Sequence, residues 1–170
     1  MQAKARFLGH PVHPMLIVFP LGLLTSAVIL DVVHLIRGGT LSAELSFWLI
    51  AGGVIGGLAA ALFGLIDWLA IPGATRARRI GLLHGLGNVV VVALFAGSWL
   101  LRRDAPTMPT TLALVLSFAG GALALMTGWL GGELVDRLGI GVDEGAHVDA
   151  PSSLSGRPAT EAARGRVTAS

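Results

Sequence analysis

The sequence predicts an all-α integral membrane protein: an up-down-up-down bundle of four helices followed by a disordered C-terminal tail. Three observations carry that prediction. Apolar residues make up 54% of the 170-residue chain, charged residues only 13%, and mean hydropathy is +0.77. A soluble domain carries about 25% charged residues, so this chain lacks the polar groups to face water. The apolar residues fall in four long blocks, each near the roughly 20 residues that cross a bilayer as a helix. The links between blocks are short, which makes sequence neighbours antiparallel. Strands are a poor alternative, because the blocks are continuous and rich in Leu and Ala rather than alternating.

The first span is expected at about 14–36 and is interrupted only by Asp31 and His34. Their i,i+3 spacing predicts a local pair on one helix face. The second, about 44–71, is uncharged from Leu45 to Ile66. Within it Gly52, Gly53, Gly56 and Gly57 form two overlapping G-x-x-x-G pairs, a face for close helix approach that is expected inside the bundle. The third, about 80–102, is uncharged from Ile80 to Leu101, and the fourth, about 110–136, follows Pro106 and Pro109. Trp48, Trp68, Trp99 and Trp129 fall toward block ends, as an interfacial aromatic belt requires. Residues 1–138 therefore form one four-span domain. Residues 139–170 are dominated by Pro, Ser, Ala, Gly and charged residues without apolar periodicity and read as a disordered tail. No internal repeat stands above noise, and a two-plus-two duplication of helices has no support in the sequence.

The termini and the link between spans two and three share one side, A. Side A carries Lys4, Arg6, Arg76, Arg78, Arg79 and Arg137; the opposite side, B, carries Arg37, Arg102 and Arg103. The excess of basic residues predicts that side A, with both termini, is cytoplasmic, in the plasma (inner) membrane. The N-terminal apolar run is longer than a signal-peptide core and lacks a small-x-small cleavage site, so it reads as a retained helix. The isoelectric point near 10.4 accompanies a net charge of only +2. With no Cys or Tyr, little titrates between His and Arg, and a small excess of Arg carries the value upward. Nucleic-acid binding is not expected. The absence of Cys excludes disulfides, thiol chemistry, Cys-ligated zinc and Cys-ligated iron–sulfur clusters in this chain. No nucleophile elbow, P-loop or dinucleotide fingerprint is present, no catalytic residue is assigned, and whether the chain is an enzyme stays open.

Topology gathers a polar layer on side A. His10 and His13 lie in Gly9-His10-Pro11-Val12-His13-Pro14, and Asp67 ends the second span. Arg76, Arg78 and Arg79 follow, then His84 with Asn88 four residues on, sharing a helix face. Glu133 returns at the end of the fourth span. Ionisable groups at membrane depth are costly and raise a functional hypothesis. Gly81, Gly85, Gly87, Gly128, Gly131 and Gly132 leave room for a flat or bulky ligand or for close helix contact. Two cofactors suit these residue types. Haem b would take His84 and either His13 or His10 as axial ligands, with Arg76, Arg78 or Arg79 on its propionates and Asp67 or Glu133 holding a histidine tautomer. A divalent metal would draw on His10, His13, His84, Asp67 and Glu133, which suit Zn, Fe(II) or Mn. Either would serve electron transfer, with the lipid bilayer, a redox partner protein and further copies of the chain as partners. The alternative is a non-enzymatic structural subunit whose His/Asp layer only ties loops to helix ends. His-Pro would then cap helix one, and Asp67 would bond Arg76 or Arg79 across its own loop. A transport path ranks behind both, since only Asp31 lies deep on side B.

A set of pieces resembles the domain of unknown function 2231 family of predicted membrane proteins. They are Gly9 to Pro14, Phe19-Pro20, Asp31, Gly64 to Trp68, His84 with Asn88, Gly128 to Val135, and Gly139-Ile140-Gly141-Val142, spread over roughly residues 9–142. The resemblance implies a four-helix membrane domain without an established activity. Some relatives join this region to Rieske-type or cytochrome-type modules, which implies a redox setting for the family.

Overall fold

The computed structural model describes residues 1–161; residues 162–170 of the expected tail lie outside the described residues. Four helical stretches are long and apolar enough to cross a membrane: Val12–Arg37, Thr40–Leu69, Arg76–Arg102 and Thr111–Arg137. The expected all-α bundle is what the chain forms, with one small addition at its N-terminus. Strands β1 (Arg6–Phe7) and β2 (His10–Pro11) pair antiparallel. Leu8 and Gly9 between them have φ of 49° and 84°, the positive values that a tight two-residue hairpin demands.

Helix α1 (Val12–Leu16) runs into α2 (Val18–Arg37) with a break at Ile17. The break lies beside the carbonyl of Leu16, which loses its ladder bond because Pro20 has no N–H. Gly38 and Gly39, at φ 66° and 94°, make the whole connection to α3 (Thr40–Leu69). Two successive positive φ values favour glycine there. Thr75 caps α4 (Arg76–Arg102) by accepting from Arg78 N at 3.1 Å, and Thr110 caps α5 (Thr111–Gly132) by accepting from Ala113 N at 3.3 Å. Helix α5 ends in a π-helical turn, Glu133–Arg137.

Helix α2 packs mainly on α3 and α4 mainly on α5, so the bundle is two helix hairpins side by side. Leu24, Ala27, Ile50, Val91 and Phe95 form the core between them. The glycines of α3 face into the bundle as expected. A Cβ at Gly56 would lie 3.2 Å from Pro20 Cδ, and one at Gly57 3.1 Å from Val92 Cγ2. Residues 139–161 have little regular structure beyond one turn of 3-10 helix at Ser153–Ser155. They nonetheless fold back on the N-terminal hairpin. The Met1 ammonium donates to Gly139 O, Gly141 N donates to Met1 O, both at 2.9 Å, and Arg6 pairs with Asp143 at 2.7 Å.

The expected pairing of Asp31 with His34 does not form. His34 Nδ1 bonds Gly39 O at 2.9 Å, across the glycine turn. Asp31 instead points into the bundle, toward Arg102. The i,i+3 spacing allows the local pair, but Arg102 on another helix offers Asp31 two donors at once, and the glycine turn offers His34 a carbonyl.

Candidate functional site

His13 and His84 are held in the same way. His13, inside α1, bonds Ala60 O of α3 through Nδ1 at 2.8 Å. His84, near the start of α4, bonds Thr127 O of α5 through Nδ1, also at 2.8 Å. A carbonyl can only accept, so each Nδ1 carries a proton and donates, and the nitrogen of either ring that can offer a lone pair is Nε2. A glycine makes each contact accessible. In an α-helix the residue four positions on overhangs a carbonyl, and here those residues are Gly64 and Gly131. A Cβ at Gly64 would lie 2.9 Å from His13 Cε1, and one at Gly131 3.1 Å from His84 Cε1. The two ring centroids are 6.4 Å apart with planes at 88°. No hydrogen-bond partner meets His13 Nε2 among the described residues. Asn88 Nδ2 lies 3.3 Å from His84 Nε2, to which it can only donate, and donates to His84 O at 2.8 Å, while Asn88 Oδ1 accepts from Thr127 Oγ1 at 3.1 Å.

The other predicted site residues go elsewhere. His10 lies in β2, exposed, with Nε2 3.2 Å from Ser153 Oγ. The hairpin turns it away from the bundle. Asp67 Oδ1 accepts from the main-chain N–H groups of Lys4 and Ala5 at 2.7 and 3.0 Å, not from Arg76 or Arg79 as expected. These amides precede the first strand and have no ladder partner, so a carboxylate facing them is satisfied without a cation. Glu133 pairs with Arg76 at 2.5 Å. Arg78 Nη1 donates to the carbonyls of Trp68, Leu69 and Ile71 at 3.0, 3.1 and 2.8 Å. Its guanidinium lies 4.0 Å from the centre of the Trp68 indole. It thus closes the C-terminal end of α3, where carbonyls lack ladder partners. Arg79 is exposed. Of the five candidate metal ligands only His13 and His84 come together. Among the described residues no three His, Asp or Glu converge to hold one metal ion.

Several glycines of this layer are filled from within. Besides the two imidazoles, the Trp68 indole lies where a Cβ of Gly81 would be, at 2.7 Å, and the Thr127 methyl does the same at Gly87, at 2.5 Å. Gly85 and Gly128 face open space.

The model of the family described as predicted membrane protein (DUF2231) matches residues 9–144, a range that contains every span and both histidines. The chain belongs to the DUF2231 family. No curated protein and no solved structure matches it.

At side B this DUF2231 member contains an ion pair that the sequence did not indicate. Arg102 and Asp31 are both 0% exposed. Nη1 meets Oδ1 at 2.7 Å and Nη2 meets Oδ2 at 2.8 Å, a bidentate match. Ser46 Oγ donates to Asp31 Oδ1 at 2.7 Å and accepts from Arg102 Nη1 at 3.1 Å. Ser98 Oγ accepts from Arg102 Nε at 3.2 Å and donates to Ala113 O at 2.6 Å. All four long helices contribute. The sequence places Arg102 among the interfacial basic residues because it ends an uncharged run. The available signal was depth: Asp31 and Arg102 both lie near the side-B ends of their spans.

Proposed function

We propose that this DUF2231 protein is a redox subunit of the plasma (inner) membrane, holding a metal centre at His13 and His84 on a cytoplasmic side A. One observation carries the reading. Both imidazoles are pinned through Nδ1 to a main-chain carbonyl, which leaves Nε2 as the ligand-binding nitrogen of each; His13 Nε2 has no partner among the described residues, and His84 Nε2 meets only the Asn88 amide at 3.3 Å, which a ligand would displace. Metal-ligating histidines are held this way, with the second nitrogen fixing tautomer and ring orientation. The chain supplies two donors, so water, a small molecule or a partner protein completes the coordination. A divalent transition metal suits the site better than haem b. The space at Gly64, Gly131, Gly81 and Gly87 is taken by His13, His84, Trp68 and Thr127, and Arg76 and Arg78, suited to propionates, are engaged by Glu133 and by the end of α3, which leaves Gly85, Gly128 and the exposed Arg79 for haem. A centre on side A would exchange electrons with a redox partner protein docking there.

A structural reading is favoured by a different observation: Asp67, Glu133 and Arg78 are all used to tie chain segments together. Metal analysis and a visible spectrum of the purified full-length protein separate the two. Stoichiometric metal in the wild type, lost in both His13→Ala and His84→Ala, is the expected result. A stoichiometric Soret band would identify haem b. Neither signal in the wild type overturns the redox reading and leaves the structural one. A C-terminal reporter that works only in the cytoplasm should be active; an inactive reporter reverses the orientation.

A further inference from the structure

The two hairpins repeat each other's internal contacts. In the first, His13 binds Ala60 O and rests on Gly64; in the second, His84 binds Thr127 O and rests on Gly131. Leu24 packs onto Gly53 as Phe95 packs onto Gly120. Ser46 Oγ lies 3.2 Å from Ala27 O, and at the corresponding positions, with the roles exchanged, Ser98 Oγ donates to Ala113 O.

The burial pattern follows the same register. One constant shift along the chain carries Pro20, Leu24, Ala27 and Asp31 of α2 onto Val91, Phe95, Ser98 and Arg102 of α4. These are the buried residues of the two helices, Gly81 apart. A second constant shift carries Ser46, Phe47, Ile50, Gly53 and Ala60 of α3 onto Ala113, Leu114, Ser117, Gly120 and Thr127 of α5. These are again the buried residues, Ala43 apart. Helical periodicity alone buries some stripe of each helix. It does not set one register in both helices of both hairpins and place a histidine on a carbonyl and a glycine in each. The hairpins differ in the N-terminal strands, which have no counterpart before α4, and at the break at Ile17, whose counterpart Asn88 places its amide 3.3 Å from His84 Nε2.

Both hairpins start on side A and run the same way, so the rotation relating them lies along the bilayer normal, as in parallel membrane repeats. Corresponding residues meet across it. At side A His13 faces His84, an identical pair; at side B Asp31 meets Arg102, a complementary pair. Two buried aspartates or two buried arginines at that point would repel in a low dielectric. One of each neutralises the position and rejects a hairpin paired with its own copy.

We infer that the four spans are two copies of one helix hairpin related by a pseudo-two-fold axis along the bilayer normal, and that His13 and His84 are equivalent donors to one transition-metal ion on that axis. The second part rests on the metal reading above; the first does not. The chain has no Cys, so spin labels can be placed in pairs on the full-length protein. Val18 corresponds to Val89 and Leu58 to Leu125, and all four are exposed. Labels at 18 and 58 should give the same distance as labels at 89 and 125, and labels at 18 and 125 the same distance as labels at 89 and 58. A mismatch in either comparison overturns the repeat. The donors are tested by titrating wild type, His13→Ala, His84→Ala and the double variant with Cu(II), followed by electron paramagnetic resonance. The double variant reports any background from His10, His34 and His147. Equal loss of nitrogen-coordinated Cu(II) in both single variants is expected. Unequal loss overturns equivalence while leaving a metal site. No binding above the double variant overturns the metal reading, and the distance comparisons still judge the repeat.

Discussion

Asp31 and Arg102 are buried where neither charge can be solvated, so each is tolerable only because of the other. Removing one partner of such a pair typically costs about 3–5 kcal/mol, whereas replacing both with apolar residues is often neutral. Asp31→Leu should therefore destabilise the detergent-solubilised protein by about 3–5 kcal/mol, and Asp31→Leu with Arg102→Met should recover most of that loss. Equal loss in the single and double variants would show that the pair contributes packing rather than charge balance. Ser117 is the opposite case. Its Oγ is buried without a partner among the described residues. A helical serine usually returns to the carbonyl four residues back, but Ala113 O already accepts from Ser98. Ser117→Ala should raise stability by about 1 kcal/mol, and a fall in the unfolding midpoint would contradict that account. The sequence shows Asp31 as a costly residue yet pairs it with His34. Along the chain only near neighbours are visible as partners, and Arg102 becomes one only when α4 packs beside α2.

At the scale of the element, glycine explains which helices touch. Gly64 and Gly131 each hold an imidazole against a carbonyl one turn back. Gly64→Ala and Gly131→Ala should each cost about 1–3 kcal/mol by overpacking and reduce whatever His13 and His84 bind. Gly85→Ala and Gly128→Ala meet open space and should be neutral or gain up to about 1 kcal/mol from helix propensity. Similar losses at all four positions, read from unfolding curves, would remove the distinction. The glycine-rich character of the histidine layer was legible in the sequence, and so was the packing role of Gly52 to Gly57. Which group fills each gap was not, because a missing side chain does not specify what replaces it. The fillers are largely the chain's own rings.

For the molecule as a whole, side A is closed by segments distant in sequence. Asp67 holds the amides of Lys4 and Ala5, and the segment after α5 holds Met1 and Arg6. Asp67→Ala should speed trypsin cleavage after Lys4 and Arg6 while leaving the bundle intact; an unchanged rate would show that Asp67 is not the latch. The sequence by itself determined the membrane architecture: four spans, their order, their antiparallel connections and the side on which each polar residue falls. Hydropathy and loop length decide these, and both are properties of consecutive residues. Only the tertiary structure decided which polar residues meet. It joined His13 to His84 and Asp31 to Arg102, and it sent His10, Asp67 and Glu133 to other partners. It also disclosed the relation between the hairpins. In lipid most positions need only be apolar or small, so two copies can keep one set of contacts while their sequences share little beyond Leu, Val, Gly and a single histidine.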